Sequence, residues 1–128
     1  MKNLHAIAIG ALLALQLAAF DATASGDKHA HAPKHGGVVV QVNHLDIELV
    51  AQADALRIHL RDHDKPLKLA GATAKLTLLA GGVKIEVTLA PAGDVLEARG
   101  TFNTVGATAV ALITLPGKPP LTARFKLK

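Results

Sequence analysis

The stretch VVVQVNHLDIELV, residues 38–50, places an apolar side chain at every second position on both sides of a polar break at Asn43-His44. A period of two is typical of half-buried antiparallel strands, and a two-residue break between two such runs favours a tight β-turn. Such a turn predicts three apolar pairs on one face: Val42 with Leu45, Val40 with Ile47, and Val38 with Leu49. We therefore expect a hairpin with one apolar face and one polar face.

A third run follows at residues 56–61 and keeps the same period. A turn near residues 52–54 would pair the apolar faces of the second and third runs: Leu49 with Leu56, Ile47 with Ile58, and Leu45 with Leu60. On the polar face this register predicts three further pairs: Glu48 with Arg57, Asp46 with His59, and His44 with Arg61. Directly opposed residues have Cβ atoms about 5 Å apart. We therefore expect His44, Asp46 and His59 near one end of the polar face, with His63 in the loop that follows.

Short strand-like runs separated by turn residues continue to the end of the chain. Gly, Pro and Asp concentrate in four segments that predict turns: residues 62–66, 81–82, 91–94 and 116–120. Residues 104–115 are rich in Ala, Val, Leu and Ile, which favours a strand buried on both faces. No segment after residue 24 predicts a helix longer than one turn. The predicted fold is all-β, a small antiparallel β-sandwich of the immunoglobulin-like kind, with about seven to eight strands over residues 37–128.

The first 24 residues have the pattern of a secretory signal peptide. Lys2 precedes an apolar run over residues 6–19, and Ala22-Thr23-Ala24 supplies a small-x-small cleavage signal. The apolar run is too short to span a membrane, and no later stretch approaches that length. We therefore expect cleavage after Ala24, export to a bacterial periplasm, a flexible histidine-rich tail over residues 25–36, and no stable membrane insertion.

The composition excludes several classes of function. The 128-residue chain has no cysteine, and its only serine is Ser25, so serine and cysteine nucleophile mechanisms have no residue to use. The net charge is only +4, aromatic residues make up 2% of the chain, and no basic cluster is present, which argues against nucleic-acid binding. No phosphate-binding glycine loop occurs either. We expect a protein that is not an enzyme.

Histidine is the residue type that points to a ligand. Six of the seven histidines lie between residues 29 and 63, and neutral imidazole is the commonest protein ligand for borderline divalent metals. The tail supplies one candidate group, formed by His29, His31 and His35. The sheet supplies a second group, formed by His44, Asp46, His59 and His63. Without cysteine, the expected ion is Zn²⁺, Cu²⁺, Co²⁺ or Ni²⁺.

Two alternatives stay open for these groups. In the sheet, Asp46 and His59 can instead form an exposed cross-strand ion pair, and the carboxylate would then make His59 bind a proton more readily, as in a pH sensor. In the tail, cleavage after Gly26 would create the new terminus Asp27-Lys28-His29. An α-amine followed by histidine at the third position is a square-planar Cu²⁺ or Ni²⁺ chelator.

A family resemblance rests on four sequence elements: His35-Gly36-Gly37-Val38-Val39-Val40, Leu45-Asp46-Ile47-Glu48-Leu49-Val50, Leu56-Arg57-Ile58-His59-Leu60, and Asp64-Lys65-Pro66-Leu67. They resemble the N-terminal His-Gly-Gly domain of periplasmic adaptor proteins of heavy-metal efflux pumps of the resistance-nodulation-division class, and free-standing exported proteins that share this domain. The resemblance implies an all-β periplasmic domain associated with cobalt, zinc, cadmium or copper resistance. It directs attention to His35, and more weakly to Glu48. A Pro-His-Ser-Phe-like element of the later strands is replaced here by Thr101-Phe102-Asn103-Thr104, so a ligand from that side is missing.

Two functional hypotheses follow from the sequence. The first is a periplasmic module that binds a divalent heavy metal, as a buffer or carrier, and presents it to an efflux complex. The second is an immunoglobulin-like interaction module that docks a periplasmic partner through an exposed edge strand, with its histidines incidental. Metal titration of the exported protein separates them.

Overall fold

The fold is described by a computed structural model over residues 32–128, in which every regular element is a β-strand. The nine strands are β1 (Val38–Val42), β2 (Leu45–Ala51), β3 (Ala55–Asp62), β4 (Lys65–Pro66), β5 (Thr73–Ala80), β6 (Val83–Ala92), β7 (Val95–Arg99), β8 (Thr108–Thr114) and β9 (Leu121–Lys126). The all-β prediction is confirmed. The strand count exceeds the predicted one because the segment expected only as a turn after β3 includes the two-residue strand β4. Within this part of the chain, no helix is long and apolar enough to cross a membrane.

The strands form one nearly closed, barrel-like antiparallel sheet in two layers. Its order is β1-β2-β3-β7-β6-β5-β8-β9, with β4 beside β3, and β1 packs against β9 to bring the two ends together. Strand β6 belongs to both layers, since residues 90–92 pair with β7 and residues 83–89 pair with β5. The chain therefore changes layers within a single strand.

The core lies between the two layers and is built from the alternate positions that the sequence pattern predicts. Phe125 is its only buried aromatic residue among residues 32–128, and it packs with Leu, Ile and Ala side chains from both layers. Each fully buried large aliphatic side chain stabilises the fold by about 1.5–3 kcal/mol relative to an exposed one. Because disulfides are absent, this apolar packing is the main source of stability.

The β1–β2 hairpin has the predicted register. Val38 is opposite Leu49, Val40 is opposite Ile47, and Val42 is opposite Leu45. The turn residues Asn43 and His44 both have positive φ angles, 50° and 67°, as a type I′ turn requires. The sequence pattern and the turn geometry therefore agree in this hairpin.

The predicted β2–β3 register is wrong by two residues. Residues 52–54 connect β2 to β3, and the N–H of Gln52 donates a hydrogen bond of 2.9 Å to the carbonyl oxygen of Ala55. Four residues separate Ala51 from its partner Leu56, two more than in the predicted register. A register shift of two residues keeps every side chain on its face of the sheet but changes every cross-strand partner. In the observed register Glu48 is opposite His59, Asp46 is opposite Arg61, and Val50 is opposite Arg57.

The expectation of a strand buried on both faces at residues 104–115 is also wrong. In β8 the side chains of Ala109, Ala111 and Ile113 are buried, whereas Leu112 on the other face is 45% exposed. No further layer covers that outer face within the described chain. The apolar run reflects small residues on the inner face and an exposed leucine on the outer face.

Candidate functional site

The polar face of the β2–β3 pair is covered by residues 32–37, which we call the N-terminal strap. Beneath it lie Glu48, 0% exposed, and Arg61, 4% exposed, with Asp46 buried opposite Arg61. This corrects the expectation of exposed cross-strand ion pairs on this face. Buried charges are costly unless they are paired and hydrogen-bonded, so the contacts of these groups decide what the face does.

The carboxylate of Glu48 holds the strap by its backbone. Oε1 of Glu48 accepts hydrogen bonds from the N–H of Lys34 at 3.0 Å and from Nη1 of Arg61 at 3.1 Å. Oε2 accepts hydrogen bonds from the N–H of His35 at 2.8 Å and from the N–H of Gly37 at 2.9 Å. We call these four bonds the Glu48 clasp. They fix the backbone on both sides of Gly36.

Arg61 and Lys34 reinforce the clasp with their own contacts. Nη2 of Arg61 donates to the carbonyl oxygen of Ala32 at 3.2 Å, and Nζ of Lys34 lies 2.6 Å from Oδ1 of Asp64. The Lys34 hydrogen bond holds the pKa of Asp64 below its usual range, helped by the charges of Lys34 and Arg61. Nε of Arg61 is buried without a hydrogen-bond partner among the described residues, and Oδ1 of Asp64 lies 3.9 Å from it.

Glu48 is saturated by these contacts. Burial raises its pKa, but the backbone N–H groups of Lys34, Gly37 and His35, together with Arg61, outweigh burial and leave the pKa below its ordinary value. An ionised carboxylate accepts about four hydrogen bonds, and Glu48 has four donors. Glu48 therefore positions the strap and has no lone pair left for a metal ion in this arrangement.

The partner expected for Glu48, Arg57, is engaged elsewhere. Nε of Arg57 donates to Oε2 of Glu97 on β7 at 2.7 Å, and Nη1 of Arg57 donates to Oε1 of Gln52 at 3.0 Å. Glu97 lies directly opposite Arg57 in the β3–β7 pair, and the shifted β2–β3 register places Arg57 opposite Val50, two positions away from Glu48. The predicted Glu48–Arg57 ion pair is therefore wrong, and Arg61 takes that place.

The two glycines of the His-Gly-Gly segment are required for different reasons. Gly36 has a φ of +78°, a conformation that side chains with a Cβ atom rarely adopt. Gly37 has an ordinary φ, but a Cβ atom at this position would lie 2.3 Å from the carbonyl oxygen of Leu49. Gly36 therefore turns the chain, and Gly37 lets the strap approach β2 closely enough to reach Glu48.

The strap places the ring of His35 on the ring of His59. The ring centroids are 3.7 Å apart, and the planes differ by 11°, which is a parallel stack. His59 lies on β3 opposite Glu48, so the clasp fixes the backbone of one histidine beside the strand that carries the other. Neither sequence position nor strand period predicts this contact, because His35 precedes the first strand.

Electrostatics favour the neutral form of His59. Partial burial lowers its pKa, the charge of His35 adds to this effect, and Arg61 and Arg57 add further, while Glu48 opposes it. The direction is opposite to the one expected from a carboxylate neighbour, because burial and the charges of His35, Arg61 and Arg57 outweigh the effect of Glu48. A neutral imidazole is the form that binds metal ions.

The stacked rings open onto a cleft of about 170 Å³. Its other lining residues are Leu60, Arg61, Pro66, Asp94 and Val95. Asp94 comes from the turn between β6 and β7, so the cleft joins two imidazoles and one carboxylate from three separate parts of the chain. These are nitrogen and oxygen ligand types suited to a borderline divalent ion.

The remaining predicted ligands are divided between other places. His44 and His63 line a different cleft of about 370 Å³ beside Leu115 and Leu121. Nδ1 of His63 lies 2.7 Å from Oδ1 of Asp62, a hydrogen bond at the surface. The predicted sheet group of His44, Asp46, His59 and His63 is thus not gathered, and His29 and His31 lie outside the described residues. Across residues 32–128, no three His, Cys, Asp or Glu side chains stand together as a ready ligand set.

Sequence reasoning missed Arg61 and Asp94. The sequence predicts Arg61 beside His44 on an exposed face. It gives no clear sign that Arg61 is buried, since the alternation places it on the polar face of its strand. Asp94 sits in a Pro-Ala-Gly-Asp segment that reads as a turn. Its proximity to the histidine pair arises only from the packing of β7 against β3.

No protein-family model, curated protein or solved structure matches this chain. The chemistry of the strap and the histidine pair is therefore the basis for a proposed function, since a fold of this kind hosts many unrelated functions.

Proposed function

We propose that this protein is a periplasmic module that binds a divalent heavy metal, as a buffer or carrier associated with a heavy-metal efflux complex, and that the His35–His59 pair is its metal centre. The observation that carries the proposal is the parallel stack of the two rings at 3.7 Å on the wall of a cleft. Partial burial and the neighbouring charges lower the pKa of His59, which favours its neutral imidazole form. Neutral imidazole ligates Zn²⁺, Cu²⁺, Co²⁺ and Ni²⁺.

The surroundings of the pair suit an exchangeable ion more than a structural one. Structural zinc sites are closed by four protein ligands, whereas this cleft offers two histidines, with Asp94 as a third candidate. His35 is exposed, so its ring is free to rotate from the stack toward an ion while the Glu48 clasp keeps its backbone in place. Water would complete the coordination. Such a site releases its ion readily, which a carrier requires.

The tail histidines extend this proposal along the sequence. His31 and His29 precede His35 by four and six positions. A tail anchored at the strap would keep these imidazoles at high local concentration near the cleft, which raises affinity without a preformed site. In this arrangement His35 connects the tail group to His59 on the sheet.

Isothermal titration of the exported protein with Zn²⁺ and with Cu²⁺ tests the proposal. The variant pair His35→Phe and His59→Phe keeps two stacked rings but removes the ring nitrogens. We expect the double variant to lose at least about tenfold in affinity, which corresponds to about 1.4 kcal/mol. The matched control is the double variant His44→Asn, His63→Asn, which removes the same number of histidines from the other cleft. Asparagine is chosen because it tolerates the positive φ angles at these two positions.

Two results would contradict the proposal. One is the absence of saturable binding tighter than about 100 μM, roughly 5.5 kcal/mol of binding free energy. The other is equal loss of affinity in the control variant and in the His35/His59 variant. The double variant His29→Ala, His31→Ala then measures separately how much the tail histidines contribute to the metal affinity.

A further inference from the structure

Strand β6 leaves one of its edges open after it changes layers. Only residues 90–92 pair with β7, and residues 83–89 pair with β5 on one side. No other strand of residues 32–128 pairs with the opposite side of residues 83–89. An open edge carries a row of unpaired backbone N–H and C=O groups that can add another strand.

The turn before β6 identifies which backbone groups face outward. Gly81 and Gly82 have φ angles of 59° and 80°, which define a two-residue type I′ turn with Ala80 opposite Val83. The pair that flanks such a turn exchanges both hydrogen bonds, and alternate pairs along the ladder do the same. Val83, Ile85 and Val87 therefore point their backbone groups at β5. The alternate residues Lys84, Glu86 and Thr88 point their backbone N–H and C=O groups at the open edge.

The side chains of residues 83–86 are exposed on both faces of this edge. Val83 is 63% exposed and Ile85 is 37% exposed, although both lie on the face that carries the core residue Leu78. Together with Ala80 and Asn103, these residues line an apolar cavity of about 280 Å³ beside the edge. Residues 83–89 also contain no proline, a residue that blocks pairing at many natural edges.

The charges of this edge are complementary to themselves in one antiparallel register. Backbone geometry requires that outward-facing residues pair with each other. If a two-fold axis passes through Ile85, Lys84 of each copy lies opposite Glu86 of the other, and Val83 lies opposite Val87. Moving the axis to Lys84 or to Glu86 places like charges opposite each other, which destabilises the pair. Only the Ile85 register places opposite charges face to face in both pairs.

We propose that β6 residues 83–89 pair with the same segment of a second copy of this chain, antiparallel, about a two-fold axis at Ile85. Residues from both copies then form one continuous sheet across the axis. Exposed Val83 and Ile85 and half-buried Val87 of one copy become neighbours of the same residues of the other, and the apolar cavity of each copy is closed by the other copy. The surface is distinct from the His35–His59 cleft, so the proposal does not depend on metal binding.

Charge-swap variants of the exported protein test the register by sedimentation equilibrium across a concentration series. Lys84→Glu places two like-charge pairs in the dimer, and so does Glu86→Lys. We expect each single variant to weaken the dimer by about tenfold, since two favourable cross-strand pairs become repulsive. The double variant K84E/E86K restores the dimer, and an equimolar mixture of the two single variants forms a heterodimer. Lys75→Glu, which changes the same charge on neighbouring β5, leaves the dimer unchanged.

Amide hydrogen exchange gives a second measurement that does not depend on the variants. The N–H groups of Lys84, Glu86 and Thr88 become protected as protein concentration rises, while the strap amides do not change. The proposal is overturned if the protein is monomeric at about 1 mM, a concentration at which even a binding free energy of about 4 kcal/mol is seen. It is also overturned if the double variant and the mixture fail to restore pairing, or if these amides gain protection only when a different protein is added.

Discussion

Two regions of the β2–β3 pair use histidine and carboxylate in opposite ways. Under the strap, the carboxylate of Glu48 is buried and saturated by four donors, and the two histidines beside it stack on each other. At the turn that ends β3, the carboxylate of Asp62 bonds His63 at the surface, where both side chains meet water. The same residue types therefore organise a backbone segment in one region and form a solvated pair in the other.

The comparison shows that burial determines how much a charged pair contributes to the stability of the fold. A surface ion pair contributes about 0–1 kcal/mol because water and salt screen it. A buried carboxylate that loses its partners, or a buried cation that loses its carboxylate, is strongly unfavourable. The strap region should therefore respond strongly to substitution, and the turn region weakly.

The largest effect is expected for Glu48→Ala. This variant strands the buried guanidinium of Arg61 and three backbone N–H groups, so we expect the free energy of unfolding to fall by about 3–5 kcal/mol. Urea denaturation measures the loss. Asp62→Ala is the matched substitution in the turn region, and its expected cost is within about 0.5 kcal/mol. Equal losses in the two variants would remove the distinction between the regions.

The double variant Glu48→Leu, Arg61→Met sharpens the same comparison. Replacing both members of a buried pair by apolar groups avoids a stranded charge, so the double variant should be more stable than Glu48→Ala. The strap N–H groups still lose their acceptor, and we therefore expect metal affinity at His35 to fall even where the fold is retained. Unchanged affinity would show that the clasp does not position His35.

A smaller effect is expected for Gly37→Ala. The new Cβ atom would meet the carbonyl oxygen of Leu49 at 2.3 Å, so the strap must move, at a cost of about 1–3 kcal/mol. Gly82→Ala is the control, since it has a φ of +80° but open space around the position. The control reports backbone strain without a steric clash, whereas Gly37→Ala introduces the clash without that strain and should separate the rings of His35 and His59. Histidine ring chemical shifts detect that separation.

The next prediction concerns pH. The folded state lowers the pKa of His59 from its ordinary value of 6.5, so the unfolded chain binds this proton first as pH falls. Stability should therefore decline as pH drops below about 6.5, and His59→Phe should remove this decline. The pKa of Glu48 is also lowered, so its contribution is present above its unfolded value of 4.5 and is lost as pH falls through the folded pKa. Denaturation curves at a series of pH values separate the loss of stability caused by His59 from the loss caused by Glu48, which occurs at lower pH.

The smallest effect is expected for His63→Asn in the turn region. Asparagine tolerates the φ of 51° at this position, and only an exposed hydrogen bond to Asp62 is lost. Stability should change by less than about 0.5 kcal/mol, and metal affinity should stay within about twofold. A large loss of affinity would instead favour a metal centre in the cleft of His44 and His63 over the proposed one at His35 and His59.

The sequence predicted the parts of this fold that depend on near neighbours. The period of two identified β1, β2 and β3, and the Asn43-His44 turn placed Val38 opposite Leu49 as observed. The sequence pattern failed at the next connection, because alternation alone does not distinguish two registers that differ by two residues and keep the same faces. That single error moved Arg57 and Arg61 along β2 and produced the wrong partners for Glu48 and His59.

By itself, the sequence determined the all-β class, the apolar faces of β1, β2 and β3, the tight turn between β1 and β2 and the concentration of histidine before residue 64. These follow from local sterics and from the alternation of side chains along an extended chain. Tertiary structure alone decided that the strap folds back over β2, that Glu48 and Arg61 are buried, that His35 stacks on His59, and that β6 changes layers. Each of these depends on contacts between residues far apart in the chain, and no local pattern encodes which distant donor will meet a buried carboxylate.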